Sequence, residues 1–322
     1  FLDLGAGIAV NRLGHAPPAL VAALPNQAGQ RWHTSNLYQI PAQQKLADQL
    51  VDLTFADKVF FTNSGTEACE LAVKMARKYF FDKGQEERVE IITFEGSFHG
   101  RSSAGIAAAG SAKLTKGFGP LLGGFRQVPF GQHELLNEAV NEKTAAVMIE
   151  PIQGEGGIRQ VPDQCLKGLR DFCDSHGILL ILDEVQCGVG RSGKLFAHEW
   201  AGIVPDIMMV AKGIGGGFPI GAVLSTEDAA TGMTLGTHGS TYGGNPLGCA
   251  VGSAVLDIVS NPAFMMDINR KAALMRQGLE ALTSQYSDIF KGVTDGVHSF
   301  SKGEHIIVYF FWEETYRSAK PF

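Results

Sequence analysis

The stretch ILLILD, residues 178–183, is an uninterrupted apolar run that ends on the carboxylate of Asp183. A strand that is apolar at every position, rather than at alternate positions, is typical of a parallel sheet covered on both faces. A second run, IMMV at residues 207–210, is followed closely by Lys212. The two runs predict neighbouring buried strands, each with an ionisable side chain just beyond its carboxyl end.

Further short apolar segments extend this pattern along the chain. The predicted strands cover residues 59–62, 89–94, 145–150, 178–183, 207–210 and 222–224. Between them, residues 67–81 and 164–175 repeat apolar side chains at helical spacing. This alternation predicts an α/β fold with a mostly parallel central sheet and flanking helices. Ligand sites in such sheets form at the carboxyl ends of the strands, so Asp183 and Lys212 are expected to share one crevice.

The composition is that of a soluble globular chain. With 322 residues, of which 45% are hydrophobic, the chain can bury one large core and a smaller second domain. A formal net charge of −6 argues against a nucleic-acid partner, and no apolar run reaches the roughly 18 residues of a membrane span. The five cysteines lack CxxC spacing, which favours a reducing, cytoplasmic setting and disfavours a zinc site.

Glycine-rich loops follow several of the predicted strands, and one of them has the character of an anion site. Ser64, Gly65 and Thr66 join a predicted strand to the helix that starts near Glu67. Free amides and the helix dipole favour a phosphate at such a junction, with the two hydroxyls as extra donors. The same residues also suit an ordinary helix cap, and residue types alone leave both readings open. The chain contains no GxxxxGK[ST] loop.

Six motifs in order carry a resemblance to a known family. They are TNSGTEA (62–68), FHGR (98–101), EPIQGEGG (150–157), DEVQ (183–186), AKGIGGG (211–217) and GSTYGGNP (239–246). With them, residues 1 to about 260 resemble the class III pyridoxal phosphate aminotransferases, most closely those that use acetylornithine in arginine biosynthesis. The resemblance implies pyridoxal phosphate fold type I and a ping-pong transfer of the δ-amino group of acetylornithine to 2-oxoglutarate.

The resemblance assigns the reactive end of the cofactor site. Lys212 would be the Schiff-base lysine, and Asp183 would pair with the protonated ring nitrogen, so that the ring accepts electrons. Gln186 would bond the ring hydroxyl, while Val185 and Phe98 would pack on the two ring faces. A lone lysine in a loop is ordinarily a surface charge, but the position of Lys212 between a buried strand and a glycine-rich loop is harder to explain in that way. Asp183 could equally be a turn cap. His99 is as readily a satisfied buried histidine as a catalytic group, and no chemistry is assigned to it.

The family pattern also places the phosphate and the substrates. Ser64, Gly65 and Thr66 would bind the phosphate, together with the Thr241 hydroxyl of a second subunit, which predicts a homodimer. For the substrates, Arg101 would bind the α-carboxylate, although an exposed arginine without such a role is the ordinary alternative. Ser240 would contact acetylornithine. Glu155 would be the switch residue that moves when 2-oxoglutarate enters.

Three other functions remain open from the sequence. Another class III aminotransferase, acting on ornithine, succinylornithine or 4-aminobutyrate, would share every motif. An aminomutase of the same fold would need no external acceptor. A truncated, non-catalytic remnant could keep the cofactor contacts without transferring an amino group.

The predicted domains are an N-terminal part of the small domain at residues 1–30, a large cofactor domain at 31–257 and an incomplete small domain at 258–322. Because the chain starts at Phe1 without a methionine, we interpret it as a fragment. Residues 296–322 depart from the family and are rich in aromatics, which suggests a shifted reading frame, an alternative exon or an assembly error. Arg317 cannot be assumed to replace the arginine with which the family's switch residue pairs.

Overall fold

A seven-stranded mixed sheet forms the centre of the computed structural model, which describes residue 3 and residues 5–286. Its strands run in the order β1-β9-β8-β7-β4-β2-β3, and a separate two-stranded hairpin pairs β5 with β6. The strands are β1 (Lys58–Thr62), β2 (Glu90–Phe94), β3 (Phe125–Val128), β4 (Thr144–Ile149), β5 (Ile152–Gln153), β6 (Arg159–Gln160), β7 (Leu179–Asp183), β8 (Ile207–Val210) and β9 (Gly221–Ser225).

The pairing confirms the predicted α/β class with a mostly parallel sheet. The strands β3, β2, β4, β7 and β8 are mutually parallel, while β9 runs antiparallel to both of its neighbours, β8 and β1. All six strands predicted from the sequence are present, with ends that differ by at most one residue. The parallel order brings the carboxyl ends of β4, β7 and β8 to one edge.

Helices flank this sheet. They are α1 (Ala6–Ala9), α2 (Pro18–Ala28), α3 (Pro41–Leu53), α4 (Gly65–Asp82), α5 (Ser103–Ala109), α6 (Ala112–Thr115), α7 (His133–Ala139), α8 (Asp163–His176), α9 (Pro246–Val259) and α10 (Pro262–Gln285). Short 3₁₀ helices lie at Ala197–Trp200 and Lys212–Ile214. The two helices predicted from apolar spacing correspond to α4 and α8. A hydrophobic core lies on each face of the sheet.

The burial of β7 explains why its sequence is apolar throughout. Leu180 and Leu182 belong to one hydrophobic core, whereas Leu179 and Ile181 belong to the other. Successive side chains of a strand point to opposite faces, so both faces of β7 must be covered. All five residues of β7 are buried, including the terminal Asp183.

Four helices lie at or near the predicted domain boundaries at residues 30 and 257. Helices α2 and α3 pack against α9, while α10 buries only Ala272 among its 24 residues. The division at residues 30 and 257 remains a prediction, and the aromatic segment 296–322 with Arg317 lies outside the described residues.

Within residues 5–286, no single helix has the length and hydropathy to cross a membrane; only the pair α9 and α10, bent by 70°, reaches the required length and composition. Among the described residues, no group of three or more His, Cys, Asp and Glu side chains could hold a metal ion.

Candidate active site

A cavity of about 310 Å³ opens at the carboxyl edge of the sheet. Its walls come from the ends of β4, β7 and β8, from the start of α4 and from the loop after β2. Nine of the side chains and glycines singled out in the sequence line it: Ser64, Gly65, Thr66, Phe98, Arg101, Asp183, Val185, Gln186 and Lys212. The predicted crevice shared by Asp183 and Lys212 is therefore present.

The start of α4 forms one wall of this cavity. Ser64 caps the helix, because its Oγ accepts the backbone N–H of Glu67 at 3.3 Å. The helix-cap reading is thus correct, but it does not exclude an anion site. The amides of Gly65 and Thr66 fall at the first two helical positions, which have no carbonyl partner within a helix, and the dipole of an 18-residue helix adds positive potential there. This junction can hold an anion.

Gly65 is required by a close approach across the cavity. A Cβ at this position would lie 2.8 Å from Cγ1 of Val185, well inside van der Waals contact. A larger residue would therefore push apart the helix start and the turn after β7. The glycine keeps the first amides of α4 next to Val185, so that one small molecule could contact both.

A buried histidine holds Asp183 in place. The Nδ1 of His99 lies 2.8 Å from Oδ2 of Asp183, and the two side chains are 0% and 5% exposed. The other oxygen, Oδ1, accepts the backbone N–H of Val185 at 3.0 Å. Both carboxylate oxygens are therefore held by hydrogen bonds, which fix the orientation of Asp183 at the cavity. The histidine that the sequence left unassigned is a direct partner of the predicted ring-binding carboxylate.

Lys212 lies at the other side of the cavity in an unusual backbone conformation. Its φ of +49° is in the left-handed region, which costs a non-glycine residue about 1–3 kcal/mol. Burial lowers the pKa of its ammonium group, although the carboxylates of Asp183, Glu155 and Glu150 oppose part of that shift. A lowered pKa increases the fraction of free amine, which is the nucleophilic form.

Gln186 points polar atoms into the site. Its Nε2 donates to Oε1 of Glu155 at 3.2 Å, while its Oε1 is buried and has no partner among the described residues. A Cβ on Gly154 would fall 1.2 Å from that oxygen, so a larger residue there would displace the Gln186 side chain. Glu155 is exposed and does not line the cavity itself. It reaches the site through Gln186.

Arg101 lies at the cavity mouth beside Phe98. Its side chain is exposed, with the guanidinium carbon 5.8 Å from the centroid of the Phe98 ring. Its backbone N–H donates to Oγ1 of Thr66 at 3.0 Å, which ties the loop after β2 to the start of α4. The arginine can therefore meet an incoming carboxylate above the buried floor.

Besides Glu155, two predicted residues do not line this cavity. Thr241 is exposed and is not among the lining residues. Ser240 lines a second cavity of about 650 Å³, and its Oγ accepts the backbone N–H of Gly243 at 2.9 Å. A bond of 3.3 Å from Nδ2 of Asn63 to the same oxygen connects Ser240 to the first cavity's wall.

Comparison with known proteins identifies the family. The family model for class III aminotransferases matches residues 1–296. An acetylornithine aminotransferase from Rhodobacter capsulatus is 67% identical over 293 residues, covering 91% of this chain and 75% of the relative. This chain belongs to the class III aminotransferases.

Solved aminotransferases share the fold of the chain. The N-acetylornithine aminotransferase from Stenotrophomonas maltophilia is 41% identical, with a TM-score of 0.77 over 89% of this chain and 71% of its own. An amine transaminase from an uncultivated Pseudomonas species, solved in its PLP-bound form, is 30% identical, with a TM-score of 0.83 over 89% of this chain and 72% of its own. The predicted fold type I architecture is confirmed.

Three buried ionisable residues of this aminotransferase were not assigned from the sequence. His99 pairs with Asp183, as described above. Glu150 lines the cavity at the end of β4 and is 3% exposed. Glu184, the residue after Asp183, is fully buried. The signal available for both glutamates was a carboxylate directly after a buried apolar strand, the same signal that singled out Asp183.

Glu184 anchors the turn that carries Val185 and Gln186. Its Oε2 accepts the backbone N–H of Ala197 at 2.7 Å, and its Oε1 accepts that of His198 at 2.8 Å. The ring nitrogen Nδ1 of His198 lies 2.9 Å from the same Oε1. These contacts fix the segment after β7 to the 3₁₀ helix Ala197–Trp200.

Replacing Glu184 with alanine is expected to lower the free energy of unfolding by about 3–5 kcal/mol, because several buried donors lose their acceptor. Urea unfolding followed by circular dichroism measures the change. Glu142→Ala, at an exposed position, is the matched control and should change stability by no more than about 0.5 kcal/mol. Equal unfolding midpoints for the two variants would show that these bonds do not stabilise the turn.

Proposed function

We propose that this aminotransferase binds pyridoxal 5'-phosphate and transfers the δ-amino group of N2-acetyl-L-ornithine to 2-oxoglutarate, giving acetylglutamate semialdehyde and glutamate in arginine biosynthesis. The observation that carries the proposal is the meeting of Lys212, Asp183 and the α4 start in one cavity. The names of the Rhodobacter capsulatus and Stenotrophomonas maltophilia relatives support acetylornithine as donor.

The residues around the cavity fit the cofactor in charge and shape. The free amides of Gly65 and Thr66 suit a phosphate, and the Ser64 and Thr66 hydroxyls can add donors. The buried, unpartnered Oε1 of Gln186 suits a ring hydroxyl. Val185 and Phe98 offer apolar surface for the two faces of an aromatic ring.

When bound, pyridoxal phosphate supplies an aldehyde that bonds to amines and a ring that accepts electrons. Lys212 Nζ would hold the aldehyde carbon between turnovers. As a free amine, the same Nζ would hold and move a proton at the substrate carbon that carries the nitrogen. Asp183, oriented by His99, would keep the ring nitrogen protonated throughout.

Substrate recognition would use the groups at the mouth of the cavity. Arg101 is exposed beside Phe98 and would bind the α-carboxylate with its two parallel N–H donors. Ser240 would contact the acetylornithine donor. Glu155 would act as the switch between the two substrates; its bond to Gln186 connects the position of the switch to the cofactor ring.

We further propose that the active unit is a cytoplasmic homodimer, in which the Thr241 hydroxyl reaches the phosphate of the partner subunit. Thr241 is exposed and outside its own cavity, as this role requires. Three large apolar side chains are also exposed. Leu235 at 106% and Tyr242 at 61% lie near Thr241 in the sequence, and Tyr38 at 70% lines the second cavity. Burial between two subunits would remove this apolar surface from water.

The donor can be tested by comparing kcat/KM for acetylornithine, ornithine, succinylornithine and 4-aminobutyrate with 2-oxoglutarate as acceptor. We expect acetylornithine to be preferred by at least about 10-fold, a difference that binding contacts can supply. An equal or higher kcat/KM for another amine would assign that amine as the donor instead. Turnover without any added 2-oxo acid would favour an aminomutase.

A further inference from the structure

Two buried carboxylates lie side by side at the floor of the cavity. Glu150 follows β4 and Asp183 ends β7, two adjacent parallel strands in which Ile149 pairs with Leu182. Glu150 and Asp183 are therefore next to each other across the strand pair. They are 3% and 4% exposed, and both line the cavity.

The two carboxylates differ in their partners. Asp183 receives His99 and the backbone N–H of Val185 on its two oxygens. Glu150 receives the backbone N–H of Phe98 at 3.0 Å on Oε2, together with a backbone bond from Gly154. Main-chain donors fix its position but bring no full positive charge to balance it.

The ionisable groups that face Glu150 strengthen this asymmetry. Asp183 faces it from β7, Lys212 from the loop after β8, and the buried thiol of Cys187 from the turn beyond Asp183. Burial first, and then the neighbouring Asp183, raise the pKa of Glu150 well above its ordinary value. The hydrogen bond from Phe98, the attraction of Lys212 and the hydrogen bond from Gly154 oppose only part of that rise. Two adjacent buried carboxylates are costly to ionise together.

We propose that Glu150 is a positioning residue that works as a neutral carboxylic acid. Its Oε2 holds the main chain of Phe98, and its bound proton reduces the negative charge of the buried carboxylate pair. The part of this inference that concerns cofactor affinity rests on the proposed function, whereas the protonation state of Glu150 does not.

The protonation state can be measured on the protein without cofactor. In the infrared spectrum at pH 7.5, wild type should show the carbonyl stretch of a protonated carboxyl group, and this band should be missing from Glu150→Gln. Glu142→Gln, at an exposed site, should keep the band. Identical carboxyl bands in wild type and Glu150→Gln would overturn the proposal.

Stability gives a second, independent measure with a defined sign. The pKa of Glu150 is raised in the folded protein above its unfolded value near 4.5. Between these two pKa values the unfolded chain has released the proton and the folded protein still holds it, so wild type loses stability as the pH rises. Glutamine has no proton to lose. The urea midpoint of Glu150→Gln minus that of wild type should therefore increase by a few tenths of a molar per pH unit from about pH 5 upward. The increase should stop once the pH exceeds the pKa of Glu150 in the folded protein. A constant difference between the two proteins from pH 5 to pH 8 would contradict a neutral Glu150.

The positioning role is tested by equilibrium binding of pyridoxal phosphate. Glutamine reproduces both the acceptor and the donor of the neutral acid, so Glu150→Gln should bind within about twofold of wild type. Glu150→Ala leaves the Phe98 N–H without its acceptor and should bind about 10-fold more weakly. Equal weakening by both substitutions would mean that a charged carboxylate is required, and the proposal would be wrong. If wild type bound no pyridoxal phosphate, the proposed function would fail, while the infrared and urea results would still decide the state of Glu150.

Discussion

Lys212→Ala is expected to reduce transamination by about 10⁴-fold or more. Lys212 is the amine at the cavity whose pKa is lowered by burial, and the proposed reaction needs that amine twice. It would hold the cofactor aldehyde, and as a free amine it would move a proton at the substrate carbon that carries the nitrogen. Alanine can do neither, and steady-state assays with acetylornithine and 2-oxoglutarate measure the loss.

Cofactor binding should survive in Lys212→Ala, because the phosphate contacts proposed for Gly65 and Thr66 do not involve the lysine. Equilibrium dialysis against pyridoxal phosphate tests this separately from turnover. Lys113→Ala, on the exposed helix α6, is the matched control and should retain wild-type rates. Turnover by Lys212→Ala within 100-fold of wild type would exclude Lys212 as the reactive amine.

Asp183→Asn should lower kcat on the order of 10³-fold, with little change in the fold. The amide can still contact His99 and the Val185 N–H, but it carries no charge to keep a ring nitrogen protonated. Since the aspartate is 4% exposed, water cannot substitute for it. The ratio of kcat values for variant and wild type, measured at saturating substrate, gives the effect.

The matched control for this substitution is Asp171→Asn on the exposed face of α8, which should leave kcat unchanged. His99→Asn should fall between wild type and Asp183→Asn, because the histidine acts through the carboxylate. A kcat for Asp183→Asn within threefold of wild type would show that the ring nitrogen does not depend on this charge.

Much of the sheet could be predicted from the sequence because its central strands are apolar at every position. The run 178–183 is buried on both faces, which leaves a signal that needs no knowledge of its neighbours. The edge strand β3 was missed, since Arg126 and Gln127 interrupt its apolar residues and only Val128 is buried. The reversed direction of β9 was also not predicted, because strand direction depends on the path of the connecting chain rather than on local composition.

The candidate site divides in the same way between local and long-range features. Residues at strand ends and at the α4 start could be singled out from their neighbours in sequence. The His99–Asp183 contact joins positions 84 residues apart, and the pairing of Glu150 with Asp183 depends on the order of β4 and β7 in the sheet. Neither contact can be predicted from the spacing of residues along the sequence. The partners of Asp183 were therefore not predicted, although Asp183 itself was.

The most direct test of the proposed function is the visible absorption of the purified protein with pyridoxal phosphate during sequential addition of its two substrates. Acetylornithine alone should abolish the absorption band of the lysine-bound cofactor, and 2-oxoglutarate added next should restore it, because one cavity serves both half-reactions. A band that is unchanged by both substrates would indicate a cofactor-binding protein without transaminase activity. A protein that develops no band at all would contradict the assignment of Lys212 and Asp183 to a pyridoxal phosphate site.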